Sequence, residues 1–585
     1  MAERVLFFSP HAGIWQHAFP EALIADAIGQ SGADVVYVTC GGVLSSFCVV
    51  MASRGLRIES AAADKERVCV ACRANRDLLR SGFHFDGYDL DSVLGPEEEA
   101  RVRVALDGAD RTALREFTVD GLRIGRATLY EYLIHHKKSD LTLSEAEWHS
   151  FRPILANAIR SAIAARRIFD RERPTRLVLY NSLYSVNAVW RALADERGIP
   201  VYTLHAGPSL ARRLATMLIA RDSTIATANR LMKAWPRFEK LPCHAEDLAQ
   251  VTDHFCEVLR GTNVFAYSAP KSGEPRSWRA DFGIRPEQKL LVATMSSYDE
   301  YVAGRAAGEQ PQEDSLLFPT QLAWIRALTE WISAKPDRFL LIRVHPREFP
   351  NKREGLKSEH ARMLERELAS LPPNARVNWP TDGLSLYDIA EHTDVFLNAW
   401  SSVGKEMSLF GIPVVVYCPS LLMYAPELNY VGETQASYFA AIERALGDGW
   451  SFEHIRQAYR WSVLEYVRVI ADLSDGFEYS EQRATSFLGR ARNLLLALPE
   501  VRQQRDFWRR PRSLREGPRV AALVNAGGDT LLDVPSESSP ASEHEETLAL
   551  RHELGRLLHA MYGAAPGPVM AGSLRARLVA AAEGA

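Results

Sequence analysis

The stretch 339-FLLIRVHPRE-348 opens as an apolar run and closes on a histidine followed by proline. Phe339 to Ile342 lack the alternation of a half-exposed strand, so the run reads as a strand covered on both faces, as in parallel sheets. Arg343 and His345 are two residues apart and share one strand face. Pro346 fixes the backbone just beyond and biases His345 towards an extended conformation. A covered strand that ends this way presents polar side chains at its carboxyl end, where open α/β sheets bind ligands.

The flanking sequence supplies the rest of such a sheet. "KLLVATMSSYDEY" reads as a strand and a Ser-rich loop, "PTQLAWIRALTEWISAK" as a helix, and "DVFLNAWSS" and "IPVVVY" as strands around the short helix "VGKEMSLFG". The N-terminal half follows the same alternation, with a strand at Val5 to Phe8, a loop from Ser9 to Phe19, a helix from Glu21 to Gln30 and a strand at Val35 to Val38. After about 75–165, which is charged and helical in pattern, "TRLVLYNSLYSVNAVWRALADERGIPVYTLHAG" gives strand, helix and strand again. Strands alternating with helices predict two α/β domains, each with a parallel sheet. We expect a first domain over 1–265 with a helical insertion near 75–165, a second over 266–450, and helices over 451–500. An Arg-rich and then disordered linker over 501–545 and an amphipathic helix with tail over 546–585 complete the expectation, with Leu550, Leu554, Leu557, Leu558 and Met561 on one face.

The segment 394-DVFLNAWSSVGKEMSLFGIPVVVY-417 delivers Ser401 and Ser402 to the start of a helix, where free N–H groups and the helix dipole suit an anion. Glu406 lies about one turn in, placed to accept hydrogen bonds from ribose hydroxyls. With Arg343, His345 and Pro346 these residues describe a phosphate or pyrophosphate pocket. Ser296 and Ser297 are further candidates for nucleotide contact. "RVHPRE" followed by "NAWSSVGKEMSLFGIPVVVY" resembles the C-terminal domain of GT-B glycosyltransferases, most of all the bacterial capsule polysaccharide biosynthesis group. The resemblance implies two Rossmann-like domains facing a cleft. It also implies a CMP- or CDP-linked donor held at the His-Pro and Ser-Ser/Glu segments. UDP-sugar 2-epimerases share a similar arrangement.

The chemistry expected is sugar transfer from a nucleotide donor, CMP-linked in preference to UDP- or CDP-linked, to a surface polysaccharide or lipid-linked acceptor. No divalent cofactor is required in this scheme, since preorganised donors would stabilise the departing phosphate; Asp299 and Glu300 are the nearest approach to an Asp-x-Asp run. His11, His17 and His205 are the candidates for a general base in the first domain. The alternatives are a sugar-nucleotide epimerase, or a non-catalytic scaffold that presents its last helix to a partner.

Composition bounds these readings. The chain has 585 residues, 69 Lys+Arg against 73 Asp+Glu, and 47% hydrophobic residues, which excludes the charge excess of a nucleic-acid binder. Seven cysteines suit a reducing compartment. Cys40, Cys48, Cys69 and Cys72 could hold structural zinc or an iron–sulfur centre, or could be small buried side chains. "MAERVLFFSP" lacks the pattern of a secretory signal, and the uncharged run Val35 to Ser53 holds too many Gly, Ser and Thr residues for a membrane span. A cytoplasmic protein is expected. The segment 502–519, with seven arginines, Phe507 and Trp508, is a candidate for peripheral contact with an anionic inner membrane.

Overall fold

The computed structural model describes residues 3–263, 265, 267, 269–272, 278–310, 316–351, 355–478, 498–535, 541–563 and 569–584. A first sheet is built from β1 (Arg4–Phe8), β2 (Asp34–Thr39), β3 (Gly87–Asp89), β4 (Arg176–Tyr180), β5 (Val201–Ala206) and β6 (Thr216–Arg221). A second follows from β7 (Lys289–Thr294), β8 (Arg338–Arg343), β9 (Ala375–Asn378), β10 (Val395–Asn398), β11 (Val414–Val416) and β12 (Tyr430–Val431). The chain then returns to the first sheet as β13 (Ile470–Asp472). The orders are β13-β6-β5-β4-β1-β2-β3 and β12-β11-β10-β7-β8-β9. The second sheet is wholly parallel. In the first, β6 and β13 run antiparallel to their neighbours. The architecture is the expected one: α/β and GT-B-like, two Rossmann-like halves facing a cleft, with a helical insertion and a C-terminal helical extension.

Phe339 to Ile342 are no more than 1% exposed because β8 lies between β7 and β9 with helices over both faces. The register levels the carboxyl ends: Thr294 stands opposite Arg343 and Asn398, and Arg343 opposite Asn378. Of these, Thr294 and Arg343 line the cleft on the second side, while Asn378 and Asn398 are fully buried.

Several expectations are corrected. The loop from Ser9 to Phe19 is shorter, because the helix begins at Trp15 and runs to Gln30 through Pro20. Burial of Trp15, Phe19, Leu23 and Ile24 outweighs the missing proline N–H. The helical insertion contains the edge strand β3, and β9 (ARVN) adds a further strand beyond those expected; both are short and lack an apolar run. The stretch after 452 is not helical throughout, since β13 interrupts it. The first domain's core ends earlier than 265. The helices Thr224–Phe238 and Ala245–Arg260 bury Leu231, Trp235, Val251 and Phe255 with Leu290, Val292 and Phe339 of the second sheet.

The Arg-rich segment is folded rather than a linker. Helices Pro499–Arg509 and Gly517–Ala526 pack on the first domain, with Phe507 against Trp15, Phe19 and Phe83. Its arginines are largely satisfied: Arg505 pairs with Asp506 at 2.7 Å, Arg515 with Asp472 at 2.6 Å and Arg519 with Glu516 at 3.1 Å. Residues 536–540 of the expected disordered stretch, and 479–497 of the expected helices, lie outside the described residues. The last amphipathic helix, Glu543–Tyr562, buries Leu550, Leu554, Leu557 and Met561 in the second domain's core, so the apolar face that the scaffold reading needs is already covered. No helix among the described residues is long and apolar enough to cross a membrane.

Candidate functional site

A cavity of about 290 Å³ opens between the two halves. The second domain contributes Arg343, His345, Ser401, Ser402 and Glu406, and the first contributes Pro208, Leu210 and Arg213. Six sequence-predicted residues, counting Pro346, thus line one wall.

Arg343 is 8% exposed. Among the described residues its guanidinium donates only to neutral acceptors, Asn378 Oδ1 and the Leu384 carbonyl (3.0 Å for the latter). Burial without a paired carboxylate pushes its pKa down to about 10. It therefore remains charged at neutral pH, and an anion in the cavity is the natural counter-charge.

His345 adopts φ −64° and ψ 133°, the extended backbone that a following proline favours. Pro346 opens a single 3₁₀ turn, and the turn brings the Arg347 N–H back onto Nδ1 of His345 at 3.2 Å. Since that N–H can only donate, Nδ1 accepts and the ring proton sits on Nε2. Burial pushes the pKa to about 4, so the imidazole is neutral and offers Nε2–H as a donor.

The helix behind the serines, Val403–Leu409, has only seven residues. Ser402 lies in the αR region and makes no side-chain cap; Ser401 Oγ instead accepts from the Val403 N–H at 3.3 Å. That N–H is thereby occupied, which corrects the expectation of an open helix terminus for an anion. Ser402 Oγ donates to Glu406 Oε1 at 2.8 Å and Tyr387 Oη to Oε2 at 2.9 Å. Two hydroxyl donors fix the Glu406 carboxylate while leaving it further lone pairs for ligand hydroxyls. Gly404 is required here, because a Cβ would overlap the Tyr424 hydroxyl.

Ser296 and Ser297 are placed otherwise. Ser296 Oγ accepts from the Trp400 N–H at 3.1 Å, its N–H donates to Gln321, and Ser297 Oγ donates to Glu300. Both are buried behind the cavity wall formed by Thr294 and Met295. Asp299 is closed as well, pairing with Arg347 at 2.9 Å with both side chains under 5% exposed.

Two of the three candidate histidines of the first domain flank Tyr180. His17 stacks on Tyr180 at 4.4 Å between centroids and His205 at 6.0 Å, while His11 sits edge-on to Tyr184 at 5.7 Å. His17 lies in the helix rather than in the loop. Burial lowers all three, to about 4 for His11 and His205 and about 3 for His17, with Arg213 adding to the shift of His17 and His205. All are neutral imidazoles.

Sequence reasoning missed Arg213, Glu465 and Tyr466, which line the cavity. The last two come from a π-helical turn, Leu464–Arg468, where the chain crosses back towards the first sheet. Glu465 pairs with Lys405 at 2.5 Å, neutralising that cation. It also missed Glu21, 3% exposed, which accepts from Ser9 at 2.8 Å and is pushed up to about 8 by burial. Glu21 is four residues from His17 on one helix face, a spacing that was legible. The pairing of Glu465 with Lys405 joins segments too distant to be read.

Cys40, Cys48, Cys69 and Cys72 line a narrow apolar crevice at the carboxyl ends of β1 and β2. All are free thiols, and burial pushes Cys40 up to about 12. Among the described residues no group of three or more His, Cys, Asp or Glu side chains is placed to hold a metal ion.

No family model matches the chain, and no curated protein does. Solved structures give distant matches. A putative UDP-N-acetylglucosamine 2-epimerase of Listeria monocytogenes is 9% identical, with 80% of this chain and 96% of that one covered and a TM-score of 0.26. The KpsC beta-Kdo 2,4 transferase of Thermosulfurimonas dismutans is 15% identical over 49% of this chain and 88% of that one, at 0.29. The spinosyn rhamnosyltransferase SpnG is 13% identical over 79% and 95%, at 0.21. The fold rests on the sheet order and the cleft rather than on scores this low.

Proposed function

We propose that this chain is a GT-B-type glycosyltransferase that moves a sugar from a nucleotide-sugar donor, CMP-linked in preference to UDP- or CDP-linked, to a surface polysaccharide or lipid-linked acceptor. One observation carries the reading: Arg343, a buried cation with only neutral described partners, faces the same cavity as a neutral His345 whose Nε2–H is free to donate. A phosphate satisfies both, and the charge that builds on it as the sugar leaves strengthens both contacts. Glu406, held by two hydroxyls, suits a ribose. The scheme routes no step through a metal ion, and Asp299 is committed to Arg347. Calorimetry with CMP, CDP, UDP and GDP tests the donor site. Binding of one nucleotide, followed by its release from the matching nucleotide sugar, is the expected result. No binding of any of the four refutes the reading, and epimer formation without an acceptor would replace it with the epimerase.

A further inference from the structure

The turn that follows His345 cannot satisfy all of its own carbonyls. Within it the Glu348 N–H donates to the His345 carbonyl at 3.0 Å and the Phe349 N–H to the Pro346 carbonyl at 3.3 Å. The next carbonyl in line belongs to Arg347, and the residue three places on is Pro350, which has no N–H to give it. Arg347 is buried, and a buried carbonyl needs a donor from somewhere.

The donor comes from the first domain. Helix Ile124–His136 of the helical insertion ends at Lys137, which takes the left-handed conformation at φ 48° and ψ 49°. The Lys137 side chain, 1% exposed, reaches the second domain, and its Nζ donates to the Arg347 carbonyl at 2.6 Å and the Leu356 carbonyl at 2.9 Å. The contact is returned. Arg347 Nη2 donates to the Ile134 carbonyl at 3.3 Å, at the end of the helix where the dipole is negative, and also holds Asp299 at 2.9 Å.

We propose that Lys137 is a positioning residue for the donor site: from the first domain it fixes the Arg347 backbone, and through it the imidazole of His345. The inference rests on the sugar-transfer reading above and makes the donor site a product of both domains. The link is one residue long. Lys137 holds the carbonyl of Arg347, and the N–H of the same residue holds Nδ1 of His345 at 3.2 Å. That hydrogen bond leaves the ring proton on Nε2 of a histidine that lines the cavity. Without Lys137 the Arg347 carbonyl is buried and unmatched, the turn relaxes, and Nδ1 loses the N–H that sets the tautomer.

Lys138 provides the comparison within the same contact. It too is buried and joins the two domains, with Nζ 2.7 Å from Glu359 and 2.9 Å from Glu147. Among the described residues its Nζ donates to neither the Arg347 nor the Leu356 carbonyl. Docking of the insertion and control of the turn are therefore separable.

Lys137→Met keeps the aliphatic stem and removes the donors. In ¹⁵N-histidine-labelled protein without ligand, the His345 ring nitrogens should move from the Nε2–H pattern towards a mixture. Affinity for the nucleotide that the wild type binds, measured by calorimetry, should weaken about 10-fold. Turnover of the matching nucleotide sugar should fall about 10- to 100-fold, the range for a reacting group misplaced by about 1 Å. Lys137→Gln, with an amide donor on a shorter arm, should fall between the wild type and the methionine variant. Lys138→Met should keep the wild-type His345 pattern and an affinity within about threefold, a change of under 0.7 kcal/mol. A wild-type ring pattern and affinity in either Lys137 variant overturns the role. So do equal shifts in Lys138→Met, or loss of folding in both Lys137 variants, since each would make Lys137 a docking contact alone. The ring pattern is read without nucleotide. A wild type that binds none of CMP, CDP, UDP and GDP therefore removes the sugar-transfer reading, while the hold of Lys137 on His345 is still decided by the ring signals.

Discussion

Replacing Arg343 with methionine should separate function from folding, because the two effects have opposite signs. The side chain is 8% exposed, and its pKa falls from 12.5 to about 10 through burial. At about 1.4 kcal/mol per pH unit, keeping the guanidinium charged in the unliganded protein costs on the order of 3 kcal/mol. Against that stand two hydrogen bonds to neutral acceptors, each contributing about 1 kcal/mol. Methionine fills similar volume, so Arg343→Met should leave unfolding stability unchanged or raise it by about 1 kcal/mol. Binding should move the other way. A charge-assisted contact to phosphate lost from a desolvated site costs about 2–3 kcal/mol, or roughly 30- to 150-fold in Kd. Urea denaturation and nucleotide calorimetry on the same samples read both quantities. A variant that is destabilised by several kcal/mol yet still binds nucleotide at wild-type affinity would show that Arg343 is a structural side chain, and the anion site would have to be sought elsewhere.

Turnover of the matching nucleotide sugar should survive excess EDTA, since no step is routed through a metal; loss restored by Mg²⁺ or Mn²⁺ contradicts this. Leu554→Ala, in the fully buried face of the last helix, should cost about 2–5 kcal/mol in urea denaturation. A cost near zero would restore that helix to the role of a docking element. Glu21→Gln should remove a pH dependence. The folded pKa of Glu21 lies near 8 against 4.5 unperturbed. The folded state therefore holds a proton the unfolded state has lost, and stability falls as pH rises from about 4.5 through 8. The wild type should lose on the order of 4 kcal/mol relative to the variant between pH 5 and pH 9, and parallel denaturation midpoints at the two pH values would refute it.

What the sequence disclosed depended on range. The second domain was legible because β7, β8 and β10 are apolar runs whose burial on both faces leaves no other reading. Arg343 and His345 could be placed on one wall because two residues of extended chain return to the same side. Trp15–Gln30 reads short because a helix buried almost all round shows no apolar stripe, and Pro20 looks like a terminator. The Arg-rich helices read as a linker because composition reports charge and not its partners; Asp472 and Asp506 satisfy Arg515 and Arg505 in three dimensions. The serine segment reads as an open helix terminus because capping depends on backbone angles, and Ser402 turns out to be αR.

The tautomers of His345 and His205 show where local sequence does reach chemistry. His345 precedes a proline, which forces it extended and starts a turn immediately after. That turn folds the next N–H, on Arg347, back onto Nδ1, so the proton must sit on Nε2. His205 is the penultimate residue of β5 and is followed by Ala206 and Gly207, with no proline at the next position to start such a turn. Its Nδ1 meets the Ala206 carbonyl instead, and the lone pair is left on Nε2. The two tautomers thus follow the backbone after each histidine, a 3₁₀ turn after His345 and the last residue of β5 after His205. Replacing Pro346 should release the turn, free Nδ1 and scramble the tautomer of His345. In ¹⁵N-histidine-labelled protein, Pro346→Ala should therefore shift the His345 ring nitrogens towards a mixture, while the His205 nitrogens hold their positions. An unchanged His345 pattern in that variant would mean the tautomer is set by the cavity and not by the chain.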